Sequence, residues 1–276
     1  GVVIPAIGRL RAMSVTPDVL DRYVAQRLKT ATRIDKATGN PVAYIKRTTV
    51  HRELSDIRAV LNWAIRRRII PWNPATGFEM PTRDDDIISP PTHAEIAAVL
   101  AVAPAWLHRA LCLAYYTGTR PGGELLTRRW GDVDRDAGTI FIESAKKGGR
   151  RTRVVELHPD LQLLLKAWHT EDKKLTAMPK TIIHFRGKPV GSLKTCWKTA
   201  KRKAGITRRL RPYDFRHAFA SYALRATADL KSVSEILGHS RPDTTVRIYQ
   251  HTDTAQRRAA VNKLPSIVSP SKNEAG

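Results

Sequence analysis

The chain has 276 residues, which is long enough for two domains of ordinary size, each with its own apolar core. Its 48 Lys and Arg residues outnumber its 25 Asp and Glu residues, and the formal net charge of +23 makes nucleic acid the first candidate partner. A basic surface of another purpose, or one that binds an anionic membrane, is the alternative. The sequence contains no apolar run of roughly 18 residues, so it predicts no membrane span.

Cysteine and histidine spacing argues against a disulfide framework and against a metal site. The two cysteines, Cys112 and Cys196, lie among apolar or helix-forming neighbours and predict free thiols in a reducing cytosol. The histidines show no HExxH or Cys-paired spacing, and there is no G-x-x-x-x-G-K-[ST] loop. We therefore expect no metal, no ATP and no other cofactor. The first residues lack a secretory signal and an initiator methionine, which suggests a truncated or processed chain.

Residues 1–82 predict a helical domain. Thr16 is a candidate N-cap with Pro17 at the first helical position, and a second helix over about 49–70 has one apolar face. The other face of this second helix carries arginines that we interpret as contacts to DNA phosphates, with a solvated charged face as the alternative. These arginines are Arg52, Arg58, Arg66, Arg67 and Arg68.

A linker separates this domain from the rest of the chain. Prolines and an acidic cluster interrupt the helical pattern in "PTRDDDIISPP", and we place the linker at residues 83–91. Both sides of the linker are basic, so both can face one DNA duplex. Residues 92–276 then form the second predicted domain.

The second domain predicts mainly helices around one β-hairpin. Thr92 and Glu95 form a capping box at the start of its first helix, and Gly118 ends the next, apolar helix. Two strands, "TIFIES" and "TRVVEL", are joined by the basic turn "AKKGGRR". Further helices are expected near residues 160–169, 192–204, 213–226 and 232–237, and "TIIHF" is a candidate strand.

Three separated segments carry residue types suited to holding a phosphodiester while a nucleophile attacks phosphorus. In the first, "YYTGTRPGGELL", Arg120 follows the turn at Gly118, and Glu124 is within reach to orient it. In the second, "RLRPYDFRHAFASYAL", Arg216 lies on a helix with an aromatic and apolar buried face, where a guanidinium needs an anion. The alternatives are a surface pair for Arg120, and for Arg216 a structural salt bridge to Asp214 or Glu235.

The third segment, "LGHSRPDTTVRIYQH", carries a candidate nucleophile. Gly238 and His239 end a short helix, and Tyr249 lies on the next one. A tyrosine on a helix usually packs in a core or at its rim. Here the neighbours Arg247 and Gln250 are polar, so burial is a less natural explanation for the position.

Together and in this order, "TGTRPGGELL", "PYDFRHAFAS" and "LGHSRPDTTVRIYQH" resemble the tyrosine recombinases, the family of phage-type integrases and of Xer- and Cre-like site-specific recombinases. The resemblance covers nearly the whole chain. It implies a mainly α fold, in which a helical core-binding domain precedes an α-rich catalytic domain with a small antiparallel β-hairpin or sheet.

The resemblance also implies a role for each matching residue. Arg120 and Arg216 clamp the non-bridging oxygens of the scissile phosphate, and His239 hydrogen-bonds the same phosphate. Tyr249 matches the nucleophile. Glu124 supports the first arginine.

The hairpin lysine and one histidine position depart from the family pattern. The turn is one residue longer than usual, so Lys147 is the first choice for the general acid and Lys146 the alternative. Tyr213 stands where a histidine usually helps to manage the nucleophile's proton. A phenol, whose ordinary pKa is about 10, accepts a proton poorly at neutral pH. Removal of the Tyr249 proton therefore falls to water, to the phosphate or to His217.

The implied reaction is site-specific cutting and rejoining of DNA through a covalent 3′-phosphotyrosine, without metal or ATP. The implied partners are double-stranded DNA at attachment or core sites, further protomers in a tetramer, and accessory bending or directionality proteins, at the nucleoid of a bacterial or phage-host cytosol. A catalytically weak DNA-binding or regulatory relative and a type IB topoisomerase-like relaxing enzyme stay open as functions. So does the loss of an N-terminal arm-binding domain.

Overall fold

The computed structural model describes residues 2–85, 89–146, 149–227 and 229–238. The chain divides into two compact units, residues 1–87 and residues 88–276. Helices dominate both units and the strands are short and antiparallel, which confirms the mainly α expectation. Within the described ranges, none of the helices combines the length and the apolar character that a membrane crossing requires.

The first unit is built on packed helices. They are α1 (Val3–Ile7), α2 (Pro17–Leu28) and α3 (Arg47–Arg66), and between α2 and α3 lie the strands β1 (Ala31–Ile34) and β2 (Pro41–Tyr44). Leu54 and Leu61 of α3 are buried in the core that α2 completes with Tyr23. The Tyr23 hydroxyl donates to Glu53 at 2.8 Å, and Arg27 Nη2 lies 2.6 Å from the same carboxylate. The apolar faces predicted for these two helices are therefore the faces that pack.

The hairpin of β1 and β2 corrects the expectation that this part of the chain is all-helical. The two strands pair antiparallel. In the turn between them, Asp35 Oδ1 accepts the backbone N–H of Ala37 at 2.7 Å, and Gly39 adopts a φ of 72°. An aspartate that bonds its own turn and a glycine in the left-handed region favour chain reversal over helix. These two residues were the signal for a hairpin that helical periodicity alone missed.

The second unit combines a three-stranded antiparallel sheet, in the order β3–β4–β5, with surrounding helices. Its helices are α4 (His93–Val102), α5 (Ala105–Thr117), α6 (Pro159–Asp172), α7 (Lys194–Lys203), α8 (Tyr213–Thr227) and α9 (Leu230–Leu237). Its strands are β3 (Val133–Asp134), β4 (Thr139–Lys146), β5 (Gly149–Glu156), and the separate pair β6 (His184–Phe185) and β7 (Lys188–Pro189). Of the candidate strand "TIIHF", only the last two residues belong to a strand.

Helix α5 lies at the centre of this unit. Residues around its whole circumference are buried, including Leu107, Leu111 and Leu113. It packs on α8, whose Phe215 meets Trp197 of α7 edge to face with ring centroids 5.8 Å apart. An apolar helix without a polar face is stable only in such an interior position. The two arginine-bearing segments of the sequence therefore flank one buried helix.

The predicted β-hairpin is longer than expected. Pairing between β4 and β5 runs from Thr139 opposite Glu156 to Lys146 opposite Gly149, so the strands extend into the predicted basic turn. Ile140 and Ile142 of β4 are buried. Because side chains alternate between the two faces of a strand, Ser144 follows them on the inward face. This polar inward position lies next to the candidate site.

Candidate functional site

Arg120 is positioned by the end of α5. Gly118 caps that helix in the left-handed conformation, with a φ of 62°, and a Cβ atom there would approach Phe219 Cδ1 to 2.8 Å and Leu237 Cδ2 to 2.9 Å. Only glycine satisfies both the backbone conformation and the close approach. The chain therefore reverses sharply at the helix end and presents Arg120 two residues later. The Arg120 side chain is 32% exposed.

Glu124 gathers several donors around one buried carboxylate. The Nη1 of Arg120 donates to Oε1, and the backbone N–H of Arg120 donates to Oε2 at 3.0 Å. Ser144 Oγ donates to Oε1 at 2.5 Å, and Arg153 Nη2 donates to Oε2 at 2.8 Å. The predicted pairing of Arg120 with Glu124 is thus present, but as one part of a network that also contains the β-hairpin.

The charge on Glu124 is held by its neighbours. Burial alone raises the pKa of this carboxyl group. The hydrogen bond and positive charge of Arg153, with the hydrogen bonds from Ser144 and the Arg120 backbone, outweigh burial and lower the pKa to about 2. The carboxylate is therefore ionised throughout the physiological range and can orient a guanidinium.

Arg216 is placed by α8 and is completely buried. Its Nη1 donates to the backbone oxygen of Gly118, and its Nη2 donates to the backbone oxygen of Leu237 at 2.7 Å. These carbonyl groups stand at the C-terminal ends of α5 and α9, where helix dipoles favour a cation. The guanidinium of Arg216 therefore ties two helix ends together.

Arg120 and Arg216 converge on Glu124. Arg216 Nη1 lies 3.9 Å from Oε2 of this carboxylate, while Arg120 is hydrogen-bonded to its other oxygen. Burial lowers the pKa of Arg216, the nearby positive charge of Arg120 lowers it further, and the value is about 10. Arg216 therefore remains charged near pH 7. The structure thus brings two guanidinium groups 96 positions apart in the chain to one carboxylate.

Asp214 serves a different partner from the one weighed in the sequence. Arg211 Nη2 donates to Asp214 Oδ1 at 2.9 Å, and the Arg211 backbone N–H donates to Oδ2 at 2.7 Å. This carboxylate therefore caps the start of α8 and holds Arg211. The carboxylate that the structure places beside Arg216 is Glu124.

Tyr213 and His217 lie next to each other at the start of α8. Their ring centroids are 4.9 Å apart at an interplanar angle of 63°, an edge-on arrangement. His217 is buried. Burial lowers the pKa of His217 to about 4, because the positive charges of Arg211 and Arg216 add to burial and outweigh the opposing charge of Asp214. The imidazole is therefore neutral near pH 7.

Three predicted site residues lie outside the described residues. His239 and Tyr249 lie outside the described residues, which stop at Gly238, the left-handed cap of α9 with a φ of 64°. Lys147 also lies outside them. Lys146 is the last residue of β4, and only its backbone is described.

The five arginines that the sequence predicted to contact DNA all lie in the first unit and are exposed. Arg52, Arg58 and Arg66 lie on α3, Arg67 caps it, and Arg68 follows with a φ of 57°. At about 100° per residue, Arg58 lies roughly 120° around the helix from Arg52. The cations therefore cover much of the exposed surface of α3 and do not form one narrow stripe.

Arg153 and Ser144 were missed by the sequence analysis. A usable signal was present, because Ser144 continues the inward alternation of Ile140 and Ile142 along β4. Arg153 stands opposite Ile142 in the register. A serine and an arginine at inward positions of a hairpin indicate a buried polar partner, which here is Glu124.

In the part of the chain that the structure describes, no group of three or more His, Cys, Asp and Glu side chains is placed to hold a metal ion.

The second unit matches a known protein family. A model of the phage integrase family aligns with residues 92–256, which is more than half of the chain. The chain belongs to the phage integrase family. It is a tyrosine recombinase, an enzyme that cuts and rejoins DNA at specific sites, and DNA is its partner.

Curated relatives of this recombinase extend the match beyond the family model. Tyrosine recombinase XerD of Staphylococcus saprophyticus is 31% identical over 230 residues, which cover 77% of this chain and 75% of the relative. Tyrosine recombinase XerC of Xylella fastidiosa (strain 9a5c) is 29% identical over 211 residues, which cover 74% of this chain and 70% of the relative.

Solved structures show the same fold at lower identity. The Tn1549 transposon integrase in complex with transposon right end DNA superimposes with a TM-score of 0.70 at 17% identity, covering 93% of this chain and 87% of the other. A lambda integrase dimer bound to a COC' core site gives a TM-score of 0.64 at 20% identity, covering 91% and 88%. The architecture described above is therefore that of the integrases.

Proposed function

We propose that this recombinase exchanges DNA strands by attack of Tyr249 on a scissile phosphate held by Arg120 and Arg216, with His239 as a further hydrogen-bond donor. The observation that carries this proposal is the convergence of both guanidinium groups on the Glu124 carboxylate. In-line attack spreads negative charge over the equatorial phosphate oxygens, and fixed cations there stabilise it more than any other single contribution.

Each step forms one phosphorus–oxygen bond as it breaks another, so the reaction needs neither metal nor ATP. The Tyr249 oxygen forms a bond to phosphorus, the bond from phosphorus to the 5′-oxygen breaks, and the 3′ end stays covalently attached to the protein. A proton must reach the departing 5′-oxygen, and the lysine of the hairpin turn supplies it. Lys147 is our first choice for this acid and Lys146 the alternative. Attack by a different 5′-hydroxyl on the phosphotyrosine reverses the step and joins a new strand.

His217 is not the base that removes the proton of Tyr249. Its imidazole is buried, and its pKa of about 4 makes it a poor proton acceptor at neutral pH. Tyr213 donates a hydrogen bond at most, because a phenol accepts a proton poorly. We therefore assign proton removal to water or to the phosphate, with Tyr213 as a hydrogen-bond donor at the family's histidine position.

The two arginines differ in exposure, which suggests an order of contact. Arg120 is 32% exposed, whereas Arg216 has no exposed side-chain surface. We propose that Arg120 meets the phosphate first and that the surroundings of Arg216 rearrange when DNA binds. Glu124 keeps both groups oriented during this step.

Assembly and DNA binding follow from the same proposal. Residues 1–82 serve as the core-type DNA-binding domain, 83–91 as the linker and 92–276 as the catalytic domain. The arginines around α3 supply phosphate contacts, and four protomers act on two duplexes with accessory bending or directionality proteins. The protein acts on DNA in a bacterial or phage-host cytosol.

The nucleophile is tested with a suicide DNA substrate that traps the covalent intermediate. We expect wild-type protein to form a protease-sensitive protein–DNA adduct and Tyr249→Phe to form none, since phenylalanine has no oxygen to attack phosphorus. Tyr222→Phe is the matched control, because Tyr222 donates to the Pro91 carbonyl and stands outside the proposed site. An adduct of undiminished yield in Tyr249→Phe would remove Tyr249 as nucleophile.

A further inference from the structure

Arg153 lies in the β-hairpin, and its side chain faces the candidate site from the buried side of the sheet. It belongs to β5, and its side chain is only 11% exposed. Its Nη2 donates to Glu124 Oε2 at 2.8 Å, and its Nη1 donates to Ser144 Oγ at 3.2 Å. Ser144 in turn donates to the other oxygen of Glu124 at 2.5 Å. The guanidinium, the hydroxyl group and the carboxylate form a closed ring of hydrogen bonds.

We propose that Arg153 is a positioning residue of this recombinase, which holds the Glu124 carboxylate in place so that Arg120 and Arg216 stay directed at the scissile phosphate. This inference rests on the proposed roles of those two arginines. Arg153 itself does not contact the phosphate.

The surroundings of Arg153 favour positioning over direct contact with DNA. Both terminal nitrogens already donate to groups of the protein. The third neighbour is the end of α9, where a Cβ atom added to Gly238 would lie 3.1 Å from Arg153 Nη1 and 3.4 Å from its Cδ. An arginine enclosed by a strand, a carboxylate and a helix cap has little freedom to reach out to a phosphate.

The positive charges around Glu124 indicate which ion pair Arg153 prevents. Arg216 Nη1 lies 3.9 Å from the same Oε2 atom to which Arg153 donates. Without Arg153, that oxygen loses its charged donor in a buried position, and Arg216 is a neighbouring cation able to replace it. An Arg216 drawn into a tight ion pair with Glu124 is less available for phosphate. Arg153 therefore satisfies the Glu124 carboxylate, so that the Arg216 guanidinium stays available for the phosphate.

The same contacts connect three parts of the site. Arg153 joins β5 to β4 through Ser144, joins both strands to Glu124, and packs against Gly238, the residue before His239. The turn between these strands carries the candidate general acid. Arg153 thus links the hairpin to the phosphate-binding arginines.

The proposal is tested with Arg153→Gln in the whole 276-residue chain. We expect the single-turnover rate of adduct formation on the suicide substrate, at saturating protein, to fall about 10- to 100-fold, the scale of a misplaced reacting group. The dissociation constant for the same DNA should change no more than in Arg135→Gln. Arg135 is an exposed arginine before β4, so this control removes the same charge away from the site.

A double-mutant cycle with Glu124→Gln separates positioning from simple loss of charge. If Arg153 acts through Glu124, Arg153→Gln adds little to the slower rate of Glu124→Gln. Independent, multiplying effects would contradict the proposal, as would a wild-type rate in Arg153→Gln or a loss confined to DNA affinity. Absence of any adduct from the wild-type protein would instead count against the proposed function, so the two failures are distinguishable.

Arg153→Lys keeps the experiment decisive if the glutamine variant does not fold. Lysine preserves the positive charge but has one nitrogen, which cannot span Ser144 and Glu124 as a guanidinium does. We expect a folded Arg153→Lys protein with wild-type DNA affinity and a rate between those of the wild type and Glu124→Gln. A folded lysine variant at the full wild-type rate would overturn the proposal.

Discussion

At the scale of single residues, the site depends on buried polar groups whose charge states are set by their neighbours. Glu124 stays ionised because Arg153, Ser144 and the Arg120 backbone outweigh the effect of its burial. His217 shows the opposite outcome. Its burial and two nearby arginines keep the imidazole neutral, so folding opposes protonation of this side chain.

His217 should therefore make stability depend on pH. Its folded pKa of about 4 lies below the ordinary value of 6.5, so its contribution is complete above pH 6.5 and is lost as the pH falls from there towards 4. The loss amounts to about 3 kcal/mol at most, from the size of the shift. We expect His217→Gln to reduce the fall in the free energy of unfolding between pH 7.5 and 4.5, measured by urea denaturation.

The exposed His158 provides the control for this measurement. His158→Gln makes the same change at this exposed position, and the fall in its free energy of unfolding between pH 7.5 and 4.5 is compared with that of His217→Gln. Equal pH dependence in His217→Gln and the wild type would show that this imidazole is not kept neutral by the fold.

At the scale of elements, the start of the second unit is held by a helix cap together with a long-range ion pair. Glu95 Oε2 accepts the backbone N–H of Thr92 at 2.8 Å in the predicted capping box. Arg208 adds what the local sequence did not indicate. Its Nη2 donates to Glu95 Oε2 at 2.6 Å and to the Pro90 carbonyl at 3.2 Å, and its Nη1 donates to the Ser89 carbonyl at 3.1 Å.

Arg208→Ala should therefore destabilise the start of α4. The Arg208 side chain is 34% exposed, so solvent screening weakens the ion pair, and we expect a loss of about 1 kcal/mol in the free energy of unfolding. Removal of the guanidinium should also increase amide hydrogen exchange at residues 92–95. Arg202→Ala, at an exposed position on α7, is the matched control. Protection at 92–95 equal to that of the wild type would mean that the capping box holds this end alone.

At the scale of the whole molecule, charge is the property that most directly serves DNA binding. The net charge of +23 is spread over both compact units, and the exposed arginines of α3 belong to the first. Each phosphate neutralised by a cation releases counterions from the duplex, so affinity must fall as salt rises. The steepness of that fall reports how many cations contact phosphates.

Replacing Arg66, Arg67 and Arg68 with Gln should flatten the salt dependence of DNA affinity. If all three arginines contact phosphates, the plot of the logarithm of the DNA association constant against the logarithm of the salt concentration becomes less steep. Its slope decreases in magnitude by about 2 to 3. A second triple variant, with Arg9, Arg11 and Arg33 changed to Gln, removes the same charge from other exposed positions. Fluorescence anisotropy at several salt concentrations compares the two. Equal slopes would place the phosphate contacts elsewhere.

Local chemistry determined much of this protein from the sequence alone. Periodic apolar residues, the Thr92 cap and Gly118 predicted the helices because they act within a few residues of chain. Three ordered motifs resembled those of the tyrosine recombinases, and the family model confirms that resemblance. Only the tertiary structure decided the ring of Arg153, Ser144 and Glu124 and the placement of Arg216 against two helix ends. Those contacts join residues distant in the chain, and their geometry depends on how helices and hairpin pack, which no local pattern encodes.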